Sequence, residues 1–305
     1  MNQDNVELLG GVSRPTKVCI NTVEGVGGLI TACQGAYFVG QQIGKDNVDI
    51  RVFVRDEVWE PFNYLFGNLF NLFYHIEIPE DEIIKLSKIA GHFGSAYDEI
   101  ISLWPDTLWR FWPYKYGHPL AVRSQRLLTC LYKPEGKLIY AALSSTTNGY
   151  LYHNTGALLR QLGKTLPEYE IYVPLISKWA GKAIDYGNLD NLPSGVILDN
   201  EVGFVEAIEK MKKASYMICL DNGPSHIGFH LGIPRLLLDP HLSTHGFPWF
   251  ARWREDIRES IDICQSPAYI AKIVRTNLDI PETLLLARDS AFENWDWKQK
   301  LLIKY

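Results

Sequence analysis

The sequence predicts an α/β protein made of two doubly wound halves with a cleft between them. Three observations predict it. The chain has 305 residues, which at roughly 150 residues per domain is two domains. Short runs of β-branched and apolar residues alternate with helical stretches in both halves, the pattern of βαβ units and mainly parallel sheets. A polar, turn-prone stretch, Lys133-Pro134-Glu135-Gly136-Lys137, breaks the alternation near the middle.

In the first half, Val18-Cys19-Ile20-Asn21 reads as a buried strand and Gly25-Val26-Gly27-Gly28 as a turn, with a helix over 29–43 that ends near Gly44. A strand at 49–54, an aromatic-rich helix over 58–73, a strand at 75–78, a helix over 80–89 and a strand at 99–103 follow. The stretch 104–132 departs from this rhythm, being dense in tryptophan, tyrosine and proline. The second half restarts with a strand at 138–143, a loop at 144–149, a helix over 155–162 and a strand at 170–173. A helix from Ser177, a strand at 195–198, a helix over 204–213 and a strand at 216–220 come next. A short helix from Ser225, a strand at 236–238 and a helical tail over 267–305 complete the pattern. The expected domains are 1–133 and 134–285, with 286–305 packing back on the first.

Composition narrows the function. Thirty basic and 35 acidic residues leave a net charge of −5, so no global attraction draws the chain to nucleic acid. No run approaches the roughly 18 apolar residues of a spanning helix, and the first residues lack the pattern of a signal peptide. A cytoplasmic location is expected. Five cysteines without a CxxC pair argue against a disulfide framework or a zinc site and for buried thiols.

The stretch from Tyr216 to Asp239 carries the most chemistry. An apolar strand ends at Asp221, and Gly223 permits a tight turn and a close ligand approach. Ser225 is the expected N-cap of a helix of about two turns, which Gly232 and Pro234 close. Amides and the positive helix end would then face the crevice beyond the strand, where a doubly wound sheet binds anions such as a diphosphate. Asp221 and His226 flank that point, ready for sugar hydroxyls or phosphate oxygens. Read alone, the same stretch is equally a plain strand–turn–helix.

Asp221-Asn222-Gly223-Pro224-Ser225-His226-Ile227, followed by Leu231-Gly232-Ile233-Pro234, resembles the D-[ST]-G-x-x-H-[IL]…L-G-x-P motif of the heptosyltransferase-like GT-B glycosyltransferases. Glu24-Gly25-Val26-Gly27-Gly28-Leu29-Ile30-Thr31-Ala32 is similar to the first loop of that family, and the order of elements agrees over most of the chain. The resemblance implies a GT-B fold, two Rossmann-like domains with an interdomain cleft. It also implies a metal-independent transfer of a sugar from a nucleoside-diphosphate sugar to a hydroxyl acceptor. No cofactor is expected beyond that donor. By the resemblance, Ser144, Ser145, Thr146, Asp221, Asn222, Gly223, Pro224, Ser225, His226 and, on the preceding helix, Glu206 serve the donor. Gly25, Gly27 and Gly28 lie on the acceptor side.

The family's first-loop aspartate, its proposed base, corresponds here to Gly28. An inverting displacement needs a carboxylate or imidazole within reach of the attacking hydroxyl. Glu24 is the nearest candidate, with His118, Asp106 or Glu99 as alternatives, and a retaining route stays open. The aromatic belt around Arg110 and Trp112 is where an acceptor would stack. Three other readings stand beside this one: a glycosyltransferase acting on a hydroxymethylated base in DNA, an inactive nucleotide-sugar-binding protein, and a nucleotide-sugar epimerase. His226 and His230 share helical spacing but lack the HExxH glutamate, so no metal site is expected. The Gly25-x-Gly27-Gly28 stretch lacks the third glycine of a dinucleotide fingerprint. The acceptor, whether saccharide, lipid-linked or nucleic acid, and the oligomeric state are not set by the sequence.

Overall fold

The computed structural model describes residues 17–23, 26–53, 56–75, 96–103, 112–117, 122, 125–144, 152–175, 186–220, 222–239 and 260–279. In the N-terminal half these form β1 (Val18–Val23), α1 (Val26–Ile43), β2 (Val48–Phe53), α2 (Asp56–Phe66), β3 (Asn71–His75) and β4 (Glu99–Leu103). All three pairings are parallel, in the order β3-β2-β1-β4. Val18, Ile20, Ile50, Val52 and Ile101 are buried in one cluster with Leu29, Ile30, Cys33 and Val39 of α1. The period of two in the strands and the apolar face of α1 account for that core.

The expected helix over 58–73 ends earlier, at Phe66, and a strand occupies Asn71–His75 instead of 75–78. Gly67 follows the last helical residue. Its amide donates to Asn63 O at 2.8 Å, and a Cβ at Gly67 would lie 2.6 Å from that oxygen. A side chain there would force the end of α2 to shift, and the chain then turns so that β3 pairs with β2. The helix expected over 80–89 lies outside the described residues.

The C-terminal half contains β5 (Leu138–Ala142), α3 (Thr155–Thr165), β6 (Glu170–Pro174), β7 (Val196–Asp199), α4 (Phe204–Lys213) and β8 (Tyr216–Leu220). It continues with α5 (Gly223–Leu231), β9 (Arg235–Asp239), β10 (Ser260–Asp262) and α6 (Pro267–Asp279). Six strands pair in parallel in the order β10-β9-β8-β5-β6-β7. Numbered within this half, that is the doubly wound order 3-2-1-4-5-6. One face, with Ile139, Ala141, Ile171, Val173, Ile218 and Leu238, is buried with α3 and α6. The opposite face, with Tyr140, Tyr172 and Met217, is buried with Ile208 and Met211 of α4 and Ile227 and Leu231 of α5. That second cluster runs on into the core of the N-terminal sheet. Strand β10 was not anticipated, and of the expected helical tail the described part is α6. The segment 286–305 lies outside the described residues. Among the described residues, no helix is long and apolar enough to cross a membrane.

Candidate functional site at the C-terminal switch point

Strands β5 and β8 are neighbours, but their following helices cover opposite faces. Helix α3 packs on one side of the sheet and α5 on the other. The carboxyl ends of β5 and β8 therefore form a topological switch point, the place where doubly wound sheets have their ligand crevice. Ser144 borders it from the β5 side, and Asn222 to His226 from the β8 side.

The N-cap of α5 is Asn222, not Ser225. Asn222 is extended, with φ −149° and ψ 172°, and its Oδ1 accepts the Ser225 amide at 3.0 Å. Its Nδ2 donates to the carbonyls of Ala142 at 3.1 Å and Ser144 at 2.8 Å. Both amide hydrogens are thus used within the protein. Ser225 is buried as well, and its hydroxyl donates to Asn222 O at 2.9 Å. Pro224 is buried and has no N–H. In the first turn, Gly223 supplies the amide that remains, and Gly223 and His226 are partly exposed. At the other end, Gly232 has φ 83°, the left-handed cap expected of it.

Helix α1 begins directly opposite. A Cβ on Gly223 would lie 3.2 Å from Cβ of Val26, the first residue of α1. Two helix N-termini therefore meet, each at the carboxyl edge of its sheet, and neither first turn holds an acidic side chain. The positive ends of both helices favour an anion at this junction. Gly27 and Gly28 lie inside the first turn of α1 rather than in a preceding loop.

Ser144 is buried, with Oγ 3.1 Å from Oη of Tyr186. Glu206 caps its own helix: Oε2 accepts the Gly203 amide at 3.0 Å. Trp112 is 2% exposed. Its Nε1 donates to Gly117 O at 3.1 Å, and its ring fills the space above Gly35. That indole is core and has no face left for an acceptor. Glu99 opens β4, at the edge of the sheet away from the junction, where it accepts from Tyr116 Oη and pairs with Lys115, both at 2.6 Å. Four residues of strand, about 13 Å, separate it from the carboxyl edge. Glu24, Gly25, Asp106, Arg110, His118, Ser145, Thr146 and Asp221 lie outside the described residues.

Two features were not anticipated. Tyr186 meets Ser144 across 42 positions, which no local pattern signals. His230 is 1% exposed and accepts the Leu127 amide on Nδ1 at 3.2 Å, while Leu128 N donates to its carbonyl at 3.0 Å. Burial, together with His226, Arg235 and Arg126, holds this imidazole well below the ordinary histidine range. It stays neutral and ties the segment between the two sheets to α5. That contact is the one the structure gives the second histidine of the pair.

No protein-family model matches the chain, and no curated protein matches its sequence. Solved structures match its fold. A glycosyl transferase family 9 protein from Veillonella parvula has a TM-score of 0.51 at 13% identity, covering 86% of this chain and 97% of its own. Heptosyltransferase WaaC of E. coli, solved with ADP-2-deoxy-2-fluoro heptose, gives 0.50 at 13% identity over 86% and 99%. A putative UDP-N-acetylglucosamine 2-epimerase from Listeria monocytogenes gives 0.51 at 10% identity over 87% and 88%. Of the dodecameric iron-containing heptosyltransferase TibC, this chain spans 58%, at a TM-score of 0.45 and 14% identity over 73% of its own length. The likeness is one of fold: an α/β chain with parallel sheets, shared with these GT-B glycosyltransferase structures and with the 2-epimerase.

Proposed function

We propose that the chain is a metal-independent glycosyltransferase that moves a sugar from a nucleoside-diphosphate donor to a hydroxyl acceptor. The observation that carries this reading is the meeting of the α1 and α5 N-termini at Val26 and Gly223, beside the crevice of the C-terminal sheet. Two positive helix ends without a first-turn acid suit a diphosphate, which is the leaving group of this reaction. Heptosyltransferases of the same fold, such as WaaC, were solved with a nucleotide heptose.

In the transfer, the acceptor hydroxyl gives its proton to a base and its oxygen bonds to the anomeric carbon. The bond from that carbon to the diphosphate oxygen breaks, and the nucleoside diphosphate departs with the electron pair. Glu24 is the proposed base and His118 the alternative. Gly223 and His226 face the leaving group, and Asp221 is a proposed partner of the donor. The acceptor enters from the N-terminal half, near Gly25, Gly27 and Gly28. Closure of the two halves excludes water and favours transfer over hydrolysis.

Calorimetric titration with ADP, UDP and GDP, each with and without EDTA, tests the reading. At least one diphosphate should bind, unchanged by the chelator. Binding of none of them overturns the reading, and binding lost to EDTA overturns its metal independence. The epimerase alternative, kept by the fold likeness to 2-epimerases, predicts conversion of the nucleotide sugar with no acceptor present. Glu24→Gln should abolish transfer and leave diphosphate binding intact.

A further inference from the structure

We infer that Asn222 is a positioning residue that fixes the N-terminus of α5 at a set distance from the end of β5. The inference rests on the proposed reading in one respect only, that the junction so fixed holds a diphosphate.

The geometry comes from one side chain with two jobs. As an acceptor, Asn222 Oδ1 caps α5 through the Ser225 amide at 3.0 Å. As a double donor, Nδ2 holds Ala142 O and Ser144 O at 3.1 and 2.8 Å. Residue 222 is 7% exposed, so these bonds form where water competes poorly and an unmade partner is costly. The two carbonyls belong to the last residue of β5 and to the residue after Leu143. The strand on one side of the crevice and the helix on the other are therefore linked through a single planar amide.

Few side chains do this. A carboxylate of the same length accepts but cannot donate, and a serine hydroxyl has one proton for two carbonyls. Alanine does neither. Ser144 carries the consequence onward, because its hydroxyl contacts Tyr186 at 3.1 Å and its carbonyl depends on Asn222. The amide of Gly223, next in sequence, takes its direction from the same cap.

The two jobs separate in experiment. In Asn222→Asp the cap acceptor persists and both donors are lost. Amide exchange should stay within about threefold of wild type over 223–227 and rise about tenfold or more over 140–144. In Asn222→Ala both segments should accelerate. In parallel, pyrophosphate and the best-binding nucleoside diphosphate are titrated into wild type and Asn222→Ser, with the matching nucleoside as control. Diphosphate affinity should fall about tenfold and nucleoside affinity should not change, a split that general destabilisation does not produce.

Exchange over 140–144 that stays at the wild-type rate in Asn222→Asp overturns the inference, as does equal acceleration of both segments. Equal diphosphate affinity in wild type and Asn222→Ser also overturns it, while leaving the proposed function standing. If wild type binds no diphosphate but the exchange pattern appears, the proposed function fails and the positioning role stands.

Discussion

Replacing Gly223 by alanine tests whether the two halves meet at the candidate anion site. The new Cβ would lie 3.2 Å from Cβ of Val26 and 3.5 and 3.6 Å from its two γ carbons. Carbon atoms settle at about 3.5–4.0 Å, so α1 or α5 must withdraw by a few tenths of an ångström. Two effects compete. Gly223 does not have a positive φ, so alanine fits the backbone and gains roughly 0.5–1 kcal/mol through the unfolded state. Overpacking costs about 1–3 kcal/mol where neighbours cannot move. Here the neighbour sits on another sheet's helix at a crevice, and a small separation is the cheaper response. The expected result is a melting temperature within a few degrees of wild type, with nucleoside-diphosphate affinity down about tenfold.

Val26→Gly supplies the counterpart, because it moves the missing Cβ across the junction. Alone it costs about 1 kcal/mol in helix propensity. Combined with Gly223→Ala it should restore affinity, giving a coupling energy of about 1 kcal/mol or more in a double-mutant cycle. Calorimetric titration and thermal melts of the four proteins read both quantities. Strict additivity, or wild-type affinity in Gly223→Ala, would refute the claim that these helix ends meet where the ligand sits.

Two further predictions concern buried groups. His230 is neutral in the fold and its pKa is depressed, so the unfolded chain binds the extra proton. Stability should then fall as pH drops below about 6.5 and be flat above it, with a slope approaching 1.4 kcal/mol per pH unit. Urea unfolding should show that slope reduced in His230→Asn, which keeps an acceptor at the δ position; an unchanged slope would exclude His230 as its source. Of the five thiols, Cys130 and Cys264 are exposed and Cys19, Cys33 and Cys219 buried. Burial pushes Cys19 up to about 12 and Cys33 well above the ordinary thiol range, so a colourimetric thiol reagent should find two fast sites in the native protein. A third fast site would contradict this packing.

The strands were legible because parallel sheets bury both faces and leave continuous apolar runs. Glu99–Leu103 and Tyr216–Leu220, and the helix Phe204–Lys213, match their expected bounds. Boundaries failed where a distant partner decides. Apolar spacing runs smoothly through Phe66, Phe70 and Phe73, yet pairing with β2 converts the end of that run into β3. At the candidate site, Ser225 and Asn222 are both good cap residues. The choice between them rests on carbonyls 80 and 78 positions away, which a local reading does not see.

Trp112 shows the same limit with magnitudes attached. An aromatic between prolines and arginines reads equally as a stacking surface or as core. The decisive residue is Gly35, in the interior of α1, where a Cβ would lie 2.8 Å from the indole ring. A glycine inside a helix costs about 1 kcal/mol relative to alanine. An indole burying about 200 Å² at about 25 cal/mol per Å² returns about 5 kcal/mol. Burial therefore wins by several-fold, and the helix accepts a weak residue so that the ring can close the core of the N-terminal sheet. A tryptophan held for that reason is not available to bind sugar.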